Sequence, residues 1–136
     1  MRQTQAGMLG VGITMSETHE QPERAAEITI EDFEKVDIRV GRVLSAEALE
    51  DARKSAYKLR IDFGPEIGVR QSSAQLTAFY RAEDLVGRLV MGVVNFPPRR
   101  IAGFRSEVLT LGVADANGAV ILLAPDRDAP LGARMF

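Results

Sequence analysis

The chain has no cysteine and only one histidine among its 136 residues. The first absence excludes a disulfide framework, a thiolate metal site and a cysteine nucleophile, and it fits a reducing cytosol. The second leaves His19 as the sole imidazole. It lies in a segment expected to be unfolded, where geometry cannot be held to the ~0.5 Å that catalysis demands. No apolar run approaches the ~20 residues needed to cross a bilayer. Met8 to Met15 is short and glycine-rich, follows a single Arg, and lacks a small-residue cleavage site, so it fails as an export signal. A cytoplasmic protein without direct membrane insertion is expected. Phosphate-cradling glycine motifs are missing too: Gly7, Gly10 and Gly12 follow no strand, and Gly64 and Gly68 flank a hairpin. Asp126 and Asp128 share a turn, but such turns are rich in Asp for backbone hydrogen bonding alone. The sequence therefore predicts no catalytic residue, no metal and no cofactor; it does not read as an enzyme.

The length suits one compact domain. The formal net charge of −2 arises entirely before Ile28, where Arg2 and Arg24 face Glu17, Glu20, Glu23 and Glu27. Residues 1–27 hold few large apolar groups and are expected to form a flexible tail, with Met15 an alternative start; residues 28–136 form the domain. Thr29 is placed to cap a short helix over Ile30 to Lys35, with Asp32 as its capping-box partner and Ile28 with Phe33 as a hydrophobic staple. Val36, Ile38 and Val40 then alternate with polar residues, and the apolar phase slips by one before Val43, which predicts a bulge at Gly41 in a long strand serving two sheets. Tyr57 to Phe63 alternates most clearly, and a third strand is expected around Ile67 to Leu76. Thr77 to Leu85 reads as one or two helical turns. Leu89 to Val94, Glu107 to Leu111 and Ala119 to Leu123 supply further strands. The pattern is all-β: a five-stranded Greek-key OB-fold barrel with a short N-terminal helix and a short helix between strands 3 and 4.

The most informative stretch is Asn95-Phe96-Pro97-Pro98-Arg99-Arg100-Ile101-Ala102-Gly103-Phe104-Arg105-Ser106-Glu107. Two consecutive prolines cannot continue a ladder, so the chain leaves its strand in a stiff, displayed form. Arg99, Arg100 and Arg105 interleave with Phe96, Ile101 and Phe104, offering charge beside apolar surface to phosphate or to peptide. The plainer reading makes the arginines a solvated turn and Ile101 with Phe104 core.

Asp32 to Gly41, Ile61-Asp62-Phe63-Gly64, Arg70-Gln71-Ser72-Ser73-Ala74-Gln75 and all of Val94 to Leu109 resemble the CsaA family. That family is similar to a wider class of tRNA-binding OB modules, including the C-terminal module of methionyl-tRNA synthetase and EMAP II-like domains. Asn95, Pro98, Arg100, Gly103 and Ser106 match the loop of the wider class, whereas Phe96, Pro97, Glu107 and Val108 resemble CsaA more closely. The resemblance implies a homodimer, a chaperone that assists export by binding unfolded preproteins, with the export machinery as a further partner, and a capacity to bind tRNA. Under the RNA reading, Arg99, Arg100 and Arg105 meet phosphates and Asn95, Ser106, Ser72 and Ser73 meet sugar or base edges. Under the polypeptide reading, Phe96, Ile101 and Phe104 receive apolar segments. Ile30, Phe33, Leu131, Met135 and Phe136 are the expected dimer interface.

Overall fold

The computed structural model describes residues 23–136. The readings placed on the Met8 to Met15 stretch, Met15 and His19, and on the tail before residue 23, lie outside the described residues. Helix α1, Ile30–Glu34, begins where the sequence places it: Thr29 Oγ1 accepts the Asp32 N–H at 3.1 Å, and Asp32 Oδ2 accepts the Thr29 N–H at 3.3 Å. Lys35 caps its C-terminus, one residue earlier than expected.

Strand β1, Ile38–Ala48, is shared between two neighbours. Its first half pairs antiparallel with β4, Leu89–Val93, and its second half with β2, Tyr57–Asp62, which in turn pairs with β3, Val69–Ala74. The sheet order is β3-β2-β1-β4-β7, with β7 at Leu109–Thr110. Helix α2, Ala82–Leu85, lies between β3 and β4 and seals the barrel with the fully buried Leu85. Five antiparallel strands curl into a nearly closed barrel with two short helices, and the architecture is the OB-fold.

The expected bulge at Gly41 is not there. Register runs unbroken from Ile38 to Arg42 against β4, and the slip falls between Val43 and Ser45, against β2. The change of apolar phase at Gly41 has another cause: β1 is buried on both faces. Ile38 and Val40 turn outward into a second core with Met91 and Val93, while Val43 turns into the barrel with Leu59, Ile61, Phe63, Leu76, Leu85, Val90 and Val108. Gly41 is the position where the Phe63 ring crosses the strand. A Cβ there would stand 2.5 Å from Ile61 Cγ2 and 2.8 Å from Phe63 Cε1, and one at Gly92 would stand 3.1 Å from Phe63 Cζ.

The second core is roofed by α1 and the C-terminal segment, through Phe33, Val36, Ala129, Leu131 and Ala133. That segment is held on β1 by backbone bonds: Val40 N–H to Ala133 O at 3.0 Å, Gly132 N–H to Val40 O at 2.8 Å and Met135 N–H to Ile38 O at 2.8 Å. Phe33 and Leu131 thus pack, partly buried, against the core of their own chain. Ile30, Met135 and Phe136 stay exposed.

Two regions differ from the expected strands. The run expected to be one strand from Glu107 to Leu111 keeps only Leu109–Thr110, and the chain then forms a separate hairpin of β8, Gly112–Ala114, with β9, Val120–Leu122. Asp115 sets its turn by accepting the N–H groups of Asn117 and Ala119, both at 2.9 Å. The arginine-proline stretch is likewise an ordered ribbon, β5, Arg99–Ile101, against β6, Phe104–Ser106.

Candidate binding groove

The β5–β6 ribbon is closed by a two-residue turn, Ala102-Gly103, with φ of 52° and 80°. Positive φ at both central residues gives the turn whose twist matches that of paired strands. Register places Ile101 opposite Phe104 and Arg99 opposite Ser106, so these four share one face, and Arg100 with Arg105 take the other. The three arginines are therefore not one cluster. Arg100 Nη1 donates to the Gly103 carbonyl at 3.1 Å, and Arg105 Nε lies 3.8 Å from Glu107 Oε2.

Arg99 faces a groove of about 610 Å³ between this ribbon and the β1–β2 loop. Phe96, Pro97, Ile101, Val108 and Leu109 give it an apolar floor. Arg53 and Lys54 reach it from the opposite side, and among the described residues neither they nor Arg99 belong to an ion pair. The sequence reading did not single out Arg53 and Lys54. The two basic residues are visible in the sequence, but nothing local says that this loop folds towards a ribbon about 45 residues later. Loops between strands 1 and 2 and between strands 4 and 5 are where OB-folds place ligands, and the groove lies between those two.

Several expected contact residues serve the scaffold instead. Ser72 is fully buried, its Oγ 2.8 Å from Thr110 Oγ1 across the barrel seam. Ser106 Oγ, also buried, accepts the Ser73 N–H at 3.1 Å. Gln71 completes this closure: its N–H donates to Glu107 Oε1 at 2.9 Å, and its carbonyl accepts the Glu107 N–H at 2.8 Å. Asn95 has both amide groups committed to backbone at residues 35 and 37. Ser72 is thus closed off inside the seam, while Asn95 remains exposed with its amide bonded to backbone. Ser73, Phe96, Arg99, Ile101 and Ser106 do meet in the groove, and Phe104 is half-buried beside Ile101.

A clamp ties the start of β1 to the C-terminal segment. Arg39 Nε donates to Asp37 Oδ1 at 2.6 Å and Arg39 Nη1 to the Gly132 carbonyl at 2.9 Å, while Arg134 Nε lies 3.5 Å from the same Asp37 oxygen. The Asp37 hydrogen bond raises the Arg39 pKa above its ordinary value.

The tRNA binding domain family matches residues 38–134, nearly all of the barrel and its C-terminal strap. The chain belongs to that family. Within it, the likeness to CsaA extends over whole solved chains. The CsaA chaperone of Bacillus anthracis is 49% identical with a TM-score of 0.77, covering 82% of this chain and 100% of that one. The CsaA chaperone of Picrophilus torridus is 46% identical with a TM-score of 0.75, covering 81% and 100%. The chain is thus a CsaA-like tRNA binding domain protein. It is also 39% identical over 116 residues to the methionine–tRNA ligase of Archaeoglobus fulgidus, covering 85% of this chain but 17% of the ligase. The chain spans about one-sixth of the length of such ligases. The tRNA binding domain is the shared part. Among the described residues no helix is long and apolar enough to cross a membrane.

Proposed function

We propose that this protein is a non-enzymatic, CsaA-like chaperone that holds extended segments of unfolded preproteins in the groove, and that tRNA engages the same basic rim. The observation that carries this reading is the pairing of an apolar floor, Phe96, Ile101 and Leu109, with a rim of Arg53, Lys54 and Arg99. An open groove with few buried polar groups suits loose holding of varied apolar segments. The half-exposed Phe96 gives such a segment, or a base, a ring to stack on. The likeness to the CsaA chaperones supports the chaperone part of this reading, and assistance to export in the cytoplasm is proposed with it.

A second reading, a tRNA-binding protein without a chaperone role, is favoured by the family match and by the three cations of the rim. A homodimer suits both readings: Ile30, Met135 and Phe136 stand exposed around a depression of about 120 Å³ beside Phe33 and Arg134. Paired grooves would raise apparent affinity for one long client. Fluorescence anisotropy with labelled bulk tRNA and with a carboxymethylated, permanently unfolded polypeptide separates the readings. Polypeptide binding that persists at physiological salt and is lost in Phe96→Ala supports the chaperone. Binding of tRNA alone leaves the second reading.

A further inference from the structure

Leu9, Val11, Ile13 and Met15 alternate in the sequence with Gly10, Gly12 and Thr14, a period-two apolar pattern. Laid out as an extended segment, such a stretch presents its large apolar side chains on one side and small groups on the other. Glu17, Glu20, Glu23 and Glu27 follow it, with Arg24 the only arginine or lysine among them. The groove offers the matching parts. Its floor includes Phe96 and Leu109, both exposed, and its rim is Arg53, Lys54 and Arg99, none of which joins an ion pair among the described residues. Chain length allows the two to meet. Asn95 Nδ2 donates to the Lys35 carbonyl at 2.8 Å, so the end of α1 sits at the foot of the ribbon, beside the groove residue Phe96. The helical rise from Thr29 back to Lys35 is roughly 9 Å. Residues 16–28 join Thr29 to Met15, and a coil of that length spans about 20 Å.

We propose that this chain's own segment Leu9 to Met15 occupies the groove in place of a client, with its apolar side chains on the floor and Glu17 and Glu20 against the basic rim. The inference rests on the polypeptide-holding reading given above and supplies its regulation. A client must displace the segment, so short or weakly apolar stretches are refused and long unfolded ones are admitted. A tether of this kind gives an effective concentration of about 1 mM, so a segment with an intrinsic Kd of about 0.1 mM fills the groove roughly nine-tenths of the time. Client affinity falls in proportion to the open fraction, here about tenfold. The acidic run strengthens the contact at low salt and adds less at physiological salt, because exposed charges are screened.

The test compares the full-length wild type with Leu9→Ser/Val11→Ser/Ile13→Ser, whose changes all precede the barrel. Each protein is titrated into labelled carboxymethylated polypeptide, and amide NMR spectra of each are recorded without client. The expected result is a Kd for polypeptide about tenfold lower in the triple variant. Amide shifts should move at the groove residues Arg53, Lys54, Ile101 and Ala102 and stay put in α2. Glu17→Gln/Glu20→Gln should give part of the same gain at about 50 mM salt and less at about 200 mM. An unchanged or higher Kd in the triple variant, with wild type binding normally, overturns the inference and leaves the chaperone reading standing. Unmoved groove amides overturn it whatever the Kd. Failure of both proteins to bind polypeptide removes the chaperone reading and this inference with it.

Discussion

Asn95 grips Asp37 across 58 residues of sequence: its Oδ1 accepts the Asp37 N–H at 3.0 Å, and its Nδ2 donates to the neighbouring Lys35 carbonyl at 2.8 Å. One side chain thereby fastens the root of the recognition ribbon to the end of α1. Each bond contributes about 0.5 to 1.5 kcal/mol. Asn95→Ala is expected to lower unfolding free energy by roughly 1 to 3 kcal/mol in urea titration. Asn95→Asp keeps the acceptor but sets a carboxylate against the Lys35 carbonyl, so it should recover little of the loss.

Gly41 leaves no room for a Cβ beside Ile61 and Phe63. Gly41→Ala forces a Cβ to within 2.5 Å of Ile61 and 2.8 Å of Phe63, an overpacking expected to cost about 1 to 3 kcal/mol. Combining it with Phe63→Leu should cost less than the sum of the single changes, because the smaller side chain vacates part of the collision. Urea midpoints of the four proteins in the cycle decide this.

Ala102 holds φ at 52° in the ribbon turn, where an L-residue with a Cβ is strained by roughly 1 kcal/mol. Ala102→Asn or Ala102→Gly should slow amide hydrogen exchange at Ile101 and Phe104, the residue pair that closes the ribbon. Gly103→Ala, at φ 80° with nothing within 4 Å, should speed it through backbone strain alone.

Phe96 and Phe104 should separate under substitution. Phe96 is half exposed on the groove floor, so Phe96→Ala is expected to weaken polypeptide binding several-fold with a melting temperature within a degree or two of wild type. Phe104, half-buried and paired with Ile101, should lose ribbon stability first, and its binding defect should follow from that loss.

Arg53 and Lys54 face Arg99 across the groove, so Arg53→Gln/Lys54→Gln is expected to make the tRNA salt slope shallower by about 1.4 to 1.8 while leaving the fold intact. Polypeptide binding measured at 200 mM salt should change little.

The fold was legible where local pattern and burial agree. The capping box at Thr29, the alternation of Tyr57 to Asp62 and the strand before Pro97 all read directly from sequence, because each is set by neighbouring residues. The phase slip after Val40 was visible, but its cause was not: a strand buried on both faces and a bulged strand produce the same pattern, and only the distant Phe63 ring distinguishes them. The site divided in the same way. The ribbon announced itself through prolines and arginines, whereas the facing loop with Arg53 and Lys54 is brought there by tertiary folding. Polar residues in a strand, Ser72 above all, looked like ligand contacts because sequence shows polarity without showing which way a hydroxyl points; here it points into the seam.

The C-terminal strap on β1 sets an order of events at the ribosome. Ile38 and Val40 are synthesised early, yet the backbone groups that cover their edge belong to Gly132, Ala133 and Met135. At about 5 to 20 residues per second, the nascent chain spends several seconds with that apolar strip bare. A protein proposed to shield the unfolded segments of others is, during its own birth, briefly a client of the same kind.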